Sequence, residues 1–107
     1  MLDILIPVSN QIEVIIENML RDLEFYTLRS ISKALSGRRF EASLREPKTG
    51  QWFTLKYTRY KGLPQAEFSL TSDQLQLTIK VSKDSLIESL LFKLFEELGD
   101  MKISPNI

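Results

Sequence analysis

Between residues 38 and 82 the chain alternates apolar and polar residues in four short runs, separated by segments that read as turns. Phe40, Ala42 and Leu44 mark the first run, and Phe53, Leu55 and Tyr57 the second. Phe68 and Leu70 mark the third, and Leu75, Leu77, Ile79 and Val81 the fourth. Successive side chains on a strand point to opposite faces, so each run has one apolar and one polar side. "EPKTGQ", "KGLPQ" and "SDQ" place proline, glycine and aspartate where the chain must turn. Short connections between alternating runs predict an antiparallel meander with strands at 38–46, 51–60, 66–71 and 75–82. Alternation this regular also predicts that one face of the sheet is buried and the other is wet.

The flanks switch to a helical period. Ile12, Ile15, Ile16, Met19, Leu20, Leu23, Tyr26, Ile31 and Ala34 fall on one stripe and predict a helix over 11–36. Asn10 and Glu13 form a capping-box pattern at its start, and Gly37 is placed as its C-cap. Unbroken, this helix would run about 39 Å at a rise of 1.5 Å per residue, and a break near Thr27–Ser32 stays open. Leu86, Ile87, Leu90, Leu91, Leu94, Phe95 and Leu98 predict a second helix over 84–98, with Ser85 and Glu88 as its capping box and Gly99 closing it.

The expected fold is therefore α+β: a two-layer sandwich in which a four-stranded antiparallel meander is covered on one face by an N-terminal and a C-terminal helix, in the order α-β-β-β-β-α. A chain of 107 residues suits a single domain, 1–107. Residues 1–10 read as an N-terminal arm or short strand, and 101–107 as a C-terminal tail. The expected core is Phe40, Leu44, Phe53, Leu55, Tyr57, Phe68, Leu70, Leu77, Ile79, Leu90 and Leu94.

The chain has no cysteine and no histidine. The first absence removes disulfides and thiolate chemistry, and suits a reducing, cytoplasmic setting. The second removes the usual general base and the commonest transition-metal ligand. There is no glycine-rich phosphate loop or nucleophile elbow, and Glu41, Glu46 and Glu67 show no catalytic spacing. A small enzyme is the least supported function, and no cofactor, metal or small-molecule substrate is implied. The opening "MLDILIPVSN" has Asp3 where a secretion signal would be basic. No run approaches the length of a membrane-spanning helix, so no membrane partner is expected.

Net charge is zero but unevenly spread. Residues 1–28 hold Arg21 against five acids, while residues 29–61 hold nine basic residues against Glu41 and Glu46. Such asymmetry points to an acidic partner for the middle segment, unless the acidic flanks lie beside it and neutralise it.

Two surfaces ask for a ligand. Trp52, Thr54, Lys56, Thr58 and Tyr60 share the side of their strand opposite Phe53, Leu55 and Tyr57. With both helices on the other side, Trp52, Lys56 and Tyr60 would join Arg39 and Arg45 on an open face. Single-strand nucleic-acid binders pair basic grooves with aromatic platforms, where stacking contributes about 1–3 kcal/mol per base. The plain alternative is that these residues are good strand formers, whose cross-strand pairs stabilise a sheet by roughly 0.2–1 kcal/mol. The second surface is a candidate partner or dimer face. Val14, Arg21, Phe25 and Leu28 lie opposite the main stripe of the first helix, and Phe92 lies outside that of the last. A helix apolar on two sides is deeply buried or makes contacts beyond its own domain.

These readings predict a non-catalytic interaction protein, an adaptor, assembly factor or chaperone-like module. It would work through helix-face self-association as a homodimer, or through a protein partner, and through the open sheet face. A single-stranded nucleic-acid-binding protein using the basic-aromatic face is the alternative. Zero net charge orders the two, because phosphate binding goes with a basic excess on the domain.

Overall fold

The computed structural model describes residues 7–34 and 38–103. Helix α1 spans Val8–Asp22 and ends in a 3-10 turn, Leu23–Phe25. Five strands follow: β1 Thr27–Lys33, β2 Arg39–Arg45, β3 Trp52–Arg59, β4 Gln65–Thr71 and β5 Gln76–Ser82. Helix α2, Leu86–Gly99, comes last. The strands form one antiparallel sheet in the order β1-β2-β3-β4-β5. The fold is α+β, as the periodicity implies, but the sheet has five strands rather than four.

The extra strand comes from the second half of the expected 11–36 helix. At Tyr26 the backbone turns extended (φ −78°, ψ 150°), and Thr27–Lys33 then pairs with β2. Leu28 lies opposite Leu44 and Ile31 opposite Ala42, because the register shifts between Leu28 and Ser30. A β-bulge inserts one residue into a strand, so two inward side chains stand three apart rather than two. That spacing does not exclude a helix, so 27–33 passed as a continuation of the 11–36 helix, with Ile31 on its main stripe and Leu28 opposite it. Paired with β2, the β-branched Thr27 and Ile31 settle into the extended form that they favour.

The helix ends differ from expectation too. Helix α1 begins at Val8 with Pro7 at its N-cap position and no side-chain cap. Asn10 and Gln11 donate to the Pro7 carbonyl at 3.0 and 3.1 Å, so Asn10 is already helical and caps nothing. At α2 the Ser85 hydroxyl does accept from the Glu88 amide at 3.3 Å. The Glu88 carboxylate reaches back one residue further than a capping box requires, to the Asp84 amide at 3.0 Å. Gly99 is the last residue of α2, and the cap is Asp100 in a right-handed conformation. Gly37, residues 1–6 of the expected arm and residues 104–107 of the expected tail lie outside the described residues. Residues 8–10 of that arm belong to α1, and Ile103 forms a parallel bridge with Leu28 at the edge of β1.

Both helices bury their stripes against one face of the sheet. Ile12, Ile16 and Met19 of α1 and Leu91, Leu94 and Leu98 of α2 are buried with Leu28, Phe40, Ala42, Leu44, Leu55, Tyr57, Phe68, Leu70 and Val81. Of the expected core, Phe53, Leu77, Ile79 and Leu90 are half-buried and pack around its rim. Phe95 stacks on Phe40 with ring centroids 3.9 Å apart and meets Tyr57 edge-on at 5.6 Å. The molecule measures 43 × 43 × 22 Å, and the short dimension suits one layer of helix on one of sheet.

Candidate functional site

The register decides what the other face of the sheet displays. Leu44 pairs with Phe53, Leu55 with Leu70 and Tyr57 with Phe68 on the helix side. Arg45 pairs with Trp52, Glu41 with Lys56, Thr58 with Glu67, Glu67 with Lys80 and Ser69 with Thr78 on the side away from the helices. No helix or strand of the described residues covers that side. Trp52 and Lys56 therefore stand on the uncovered face, as their parity requires.

At one end of this face an arginine joins the tryptophan that sequence reasoning did not place there. Arg29 occupies the bulge of β1, and its guanidinium lies 4.2 Å from the centre of the Trp52 ring. Arg29 Nη2 donates to Ser43 Oγ at 3.3 Å, which holds the guanidinium over the ring. Arg45 flanks the same ring at 6.0 Å and donates from Nε to the Gly50 carbonyl at 3.2 Å. Gly50 adopts φ +72°, and a Cβ there would come within 3.1 Å of the Arg45 guanidinium. The turn thus leaves room for that arginine to lie back along the strand end. Trp52 is half-buried as a result. Two cations lie close to it, so it is not a bare platform.

The remaining sequence-predicted ligand residues spread along the strand. Lys56 sits at mid-face opposite Glu41, and Arg39 sits at the far end opposite Thr58. Tyr60 lies just beyond β3, at the start of the turn rather than on the strand, and is 53% exposed. Trp52 and Tyr60 are separated by about 26 Å at 3.3 Å per extended residue. Arg39, Lys56 and Tyr60 line one hollow of about 290 Å³, and Arg45 with Trp52 lies at the other end of the same strand pair.

The charge on the two layers is opposite in sign. The uncovered face carries Arg29, Arg39, Arg45, Lys56 and Lys80 against Glu41 and Glu67. The two acids lie across from Lys56 and Lys80, so the excess is the three arginines. Helices α1 and α2 carry Glu13, Glu17, Asp22, Glu88, Glu96 and Glu97 against Arg21 and Lys93. Six of the chain's fourteen acidic residues therefore sit on the helices, where they outnumber the basic residues by four.

The candidate partner face assembles only in part. Leu28 is 1% exposed and belongs to the core, because it lies on β1 and not on a helix. Val14 and Phe25 are 55% and 62% exposed, and Phe92 is 45% exposed. Arg21 is exposed and hydrogen-bonded to Asn18. Phe25 borders a hollow with Arg45, Glu46 and Pro47 at the Trp52 end, whereas Phe92 meets Tyr57 near the Tyr60 end. Arg21 and Phe25 do share a hollow with Asp22, Tyr26, Glu46 and Pro47, while Leu28 and Phe92 stand apart from it.

Two further polar clusters are structural. Arg59 pairs with Glu88 and donates from Nε to the Tyr57 hydroxyl at 3.1 Å. This network pins the start of α2 to the end of β3. Burial pushes the Tyr57 hydroxyl above its ordinary pKa, and the hydrogen bond from Arg59 partly offsets that rise. Tyr57 thus stays protonated near neutrality. The Glu46 carboxylate accepts from the Lys48 and Thr49 amides at 2.9 and 2.8 Å and from the Thr49 hydroxyl, which holds the turn between β2 and β3. Among the described residues no three His, Cys, Asp or Glu side chains gather where they could hold a metal ion. No described helix is long and apolar enough to cross a membrane. No family model matches the chain, and comparison with curated proteins and with solved structures finds no match either.

Proposed function

We propose that this protein is a non-catalytic binding module whose uncovered sheet face takes a single-stranded nucleic acid. The observation that carries this reading is the Arg29–Trp52–Arg45 group on a face with excess positive charge. Guanidinium planes and an indole offer stacking surfaces to bases, and the same cations neutralise phosphates. Zero net charge weighs less against nucleic acid once the helices are seen to carry an acidic excess and the uncovered face a basic one. An extended ligand suits the site, because its cations are spread along the β2–β3 pair from Arg45 past Lys56 to Arg39.

Titration with oligothymidylate or oligouridylate, followed by the emission of Trp52, tests it. Trp52 is the chain's only tryptophan, so the signal reports this face alone. The expected result is quenching at low salt and a linear loss of log affinity with log salt, with a slope of about −0.7 per phosphate contact. Trp52→Ala with Lys56→Ala, followed by the anisotropy of a labelled strand because the variant has no tryptophan, should weaken binding. It should also lower stability by about the 0.5–1 kcal/mol of the lost guanidinium–indole contact. Emission indifferent to every oligonucleotide at low salt would overturn the reading. Equal quenching by polyglutamate would turn it towards an acidic protein partner.

Self-association through the helices is a second reading, favoured by the exposure of Val14 and Phe25. It ranks lower because Phe25 and Phe92 lie at opposite ends of the molecule. A cytoplasmic setting, suited to a chain without cysteine, goes with either proposal.

A further inference from the structure

Beyond Tyr60 the end of the sheet opens into a cleft of about 520 Å³ on the helix side. Arg38, Lys61 and Lys83 line it together with Tyr60, Leu63 and Phe92. The one carboxylate on its wall, Glu88, is taken up by Arg59 and by the Asp84 amide. Among the described residues Arg38, Lys61 and Lys83 have no ion-pair partner. Like charges gathered without counter-charge raise the local potential and attract anions. Tyr60, Leu63 and Phe92 are the exposed large apolar side chains at this spot. Cations and aromatic surface thus occur together a second time, at the opposite end of the molecule from Trp52.

The cleft is continuous with the uncovered face. Tyr60 lines it, and also lines a hollow with Arg39, Glu41, Lys56 and Thr58. A strand lying along β3 from Trp52 past Lys56 therefore reaches Tyr60 at the corner, with Arg38, Lys61 and Lys83 just beyond.

We propose that a bound nucleic-acid strand continues over the end of the sheet at Tyr60 into this cleft, where Arg38, Lys61 and Lys83 take its phosphates and Tyr60 and Phe92 a base. This rests on the sheet-face reading and extends it. The site has two subsites joined at Tyr60, and full affinity needs a strand long enough to span both. Charge complementarity selects the occupant, since a flat apolar group carried on a phosphate chain satisfies both the aromatic walls and the cations.

Lys61→Gln with Lys83→Gln tests it against oligonucleotides from about 4 to about 16 nucleotides long. Both lysines are exposed residues of turns, and a melting midpoint equal to that of the parent verifies the fold. For the longest strands the variant should lose about 1.4 from its salt slope, at about 0.7 per contact. For the shortest strands affinity and Trp52 quenching should match the parent. Parental binding by the variant at every length, while Trp52→Ala weakens all of it, would overturn the cleft and leave the sheet face standing. Loss of binding at every length, with Trp52 emission silent in the parent, would place the ligand in the cleft alone and overturn both. Absence of oligonucleotide binding by the parent would also overturn both.

Discussion

Arg29 owes its place on the uncovered face to a single inserted residue. The bulge between Leu28 and Ser30 lets Leu28 point into the core and Arg29 point away, beside Trp52. A guanidinium over an indole at an exposed site contributes about 0.5–1 kcal/mol. Arg29→Ala is therefore expected to cost about that much in a denaturant melt. It should also shift Trp52 emission to the red and open the ring to acrylamide. Unchanged quenching would show that Arg29 does not cover the ring in solution. The parity of Trp52 was legible beforehand, because Phe53, Leu55 and Tyr57 alternate with it without interruption. Arg29 was not legible, since nothing local distinguishes a bulged strand from the end of a helix when inward residues stand three apart.

At the scale of elements, the turn between β2 and β3 carries a charge-dependent contribution. The Thr49 hydroxyl and the Lys48 and Thr49 amides hold the Glu46 carboxyl below its ordinary pKa of 4.5. A lowered folded-state pKa stabilises the fold above the unfolded value, and that stabilisation fades as pH falls through the folded value. The parent should exceed Glu46→Gln in stability near neutrality, with the difference closing as both are melted at progressively lower pH below 4.5. A difference that persists at the acid limit would assign the effect to hydrogen-bond geometry rather than charge. β2 to β5 were readable to within two residues, because alternation and turn residues agree at every boundary. β1 was hidden because its extended form depends on β2, seven to eighteen residues further along the chain.

For the whole molecule the decisive feature is the separation of charge between layers. A basic face opposite an acidic helix layer attracts polyanions although the total is zero. Phe25 and Phe92, by contrast, lie at opposite ends of the molecule, and single exposed residues are ordinary on a monomer. Sedimentation at several concentrations should accordingly show one monomeric species. A concentration-dependent dimer weakened by Phe25→Ser would restore helix-face self-association.

Sequence alone determined which side chains share a face in β2 to β5, since the pleat enforces a period of two whatever the neighbours are. It also determined that the last helix covers the sheet, because its apolar stripe has to be buried. Only the tertiary structure decided that residues 27–33 form a strand, that Arg29 meets Trp52, and that Tyr60 opens on Lys83 and Phe92. Each of these joins residues far apart in the chain. Their energies come from pairing and packing that no window of sequence contains.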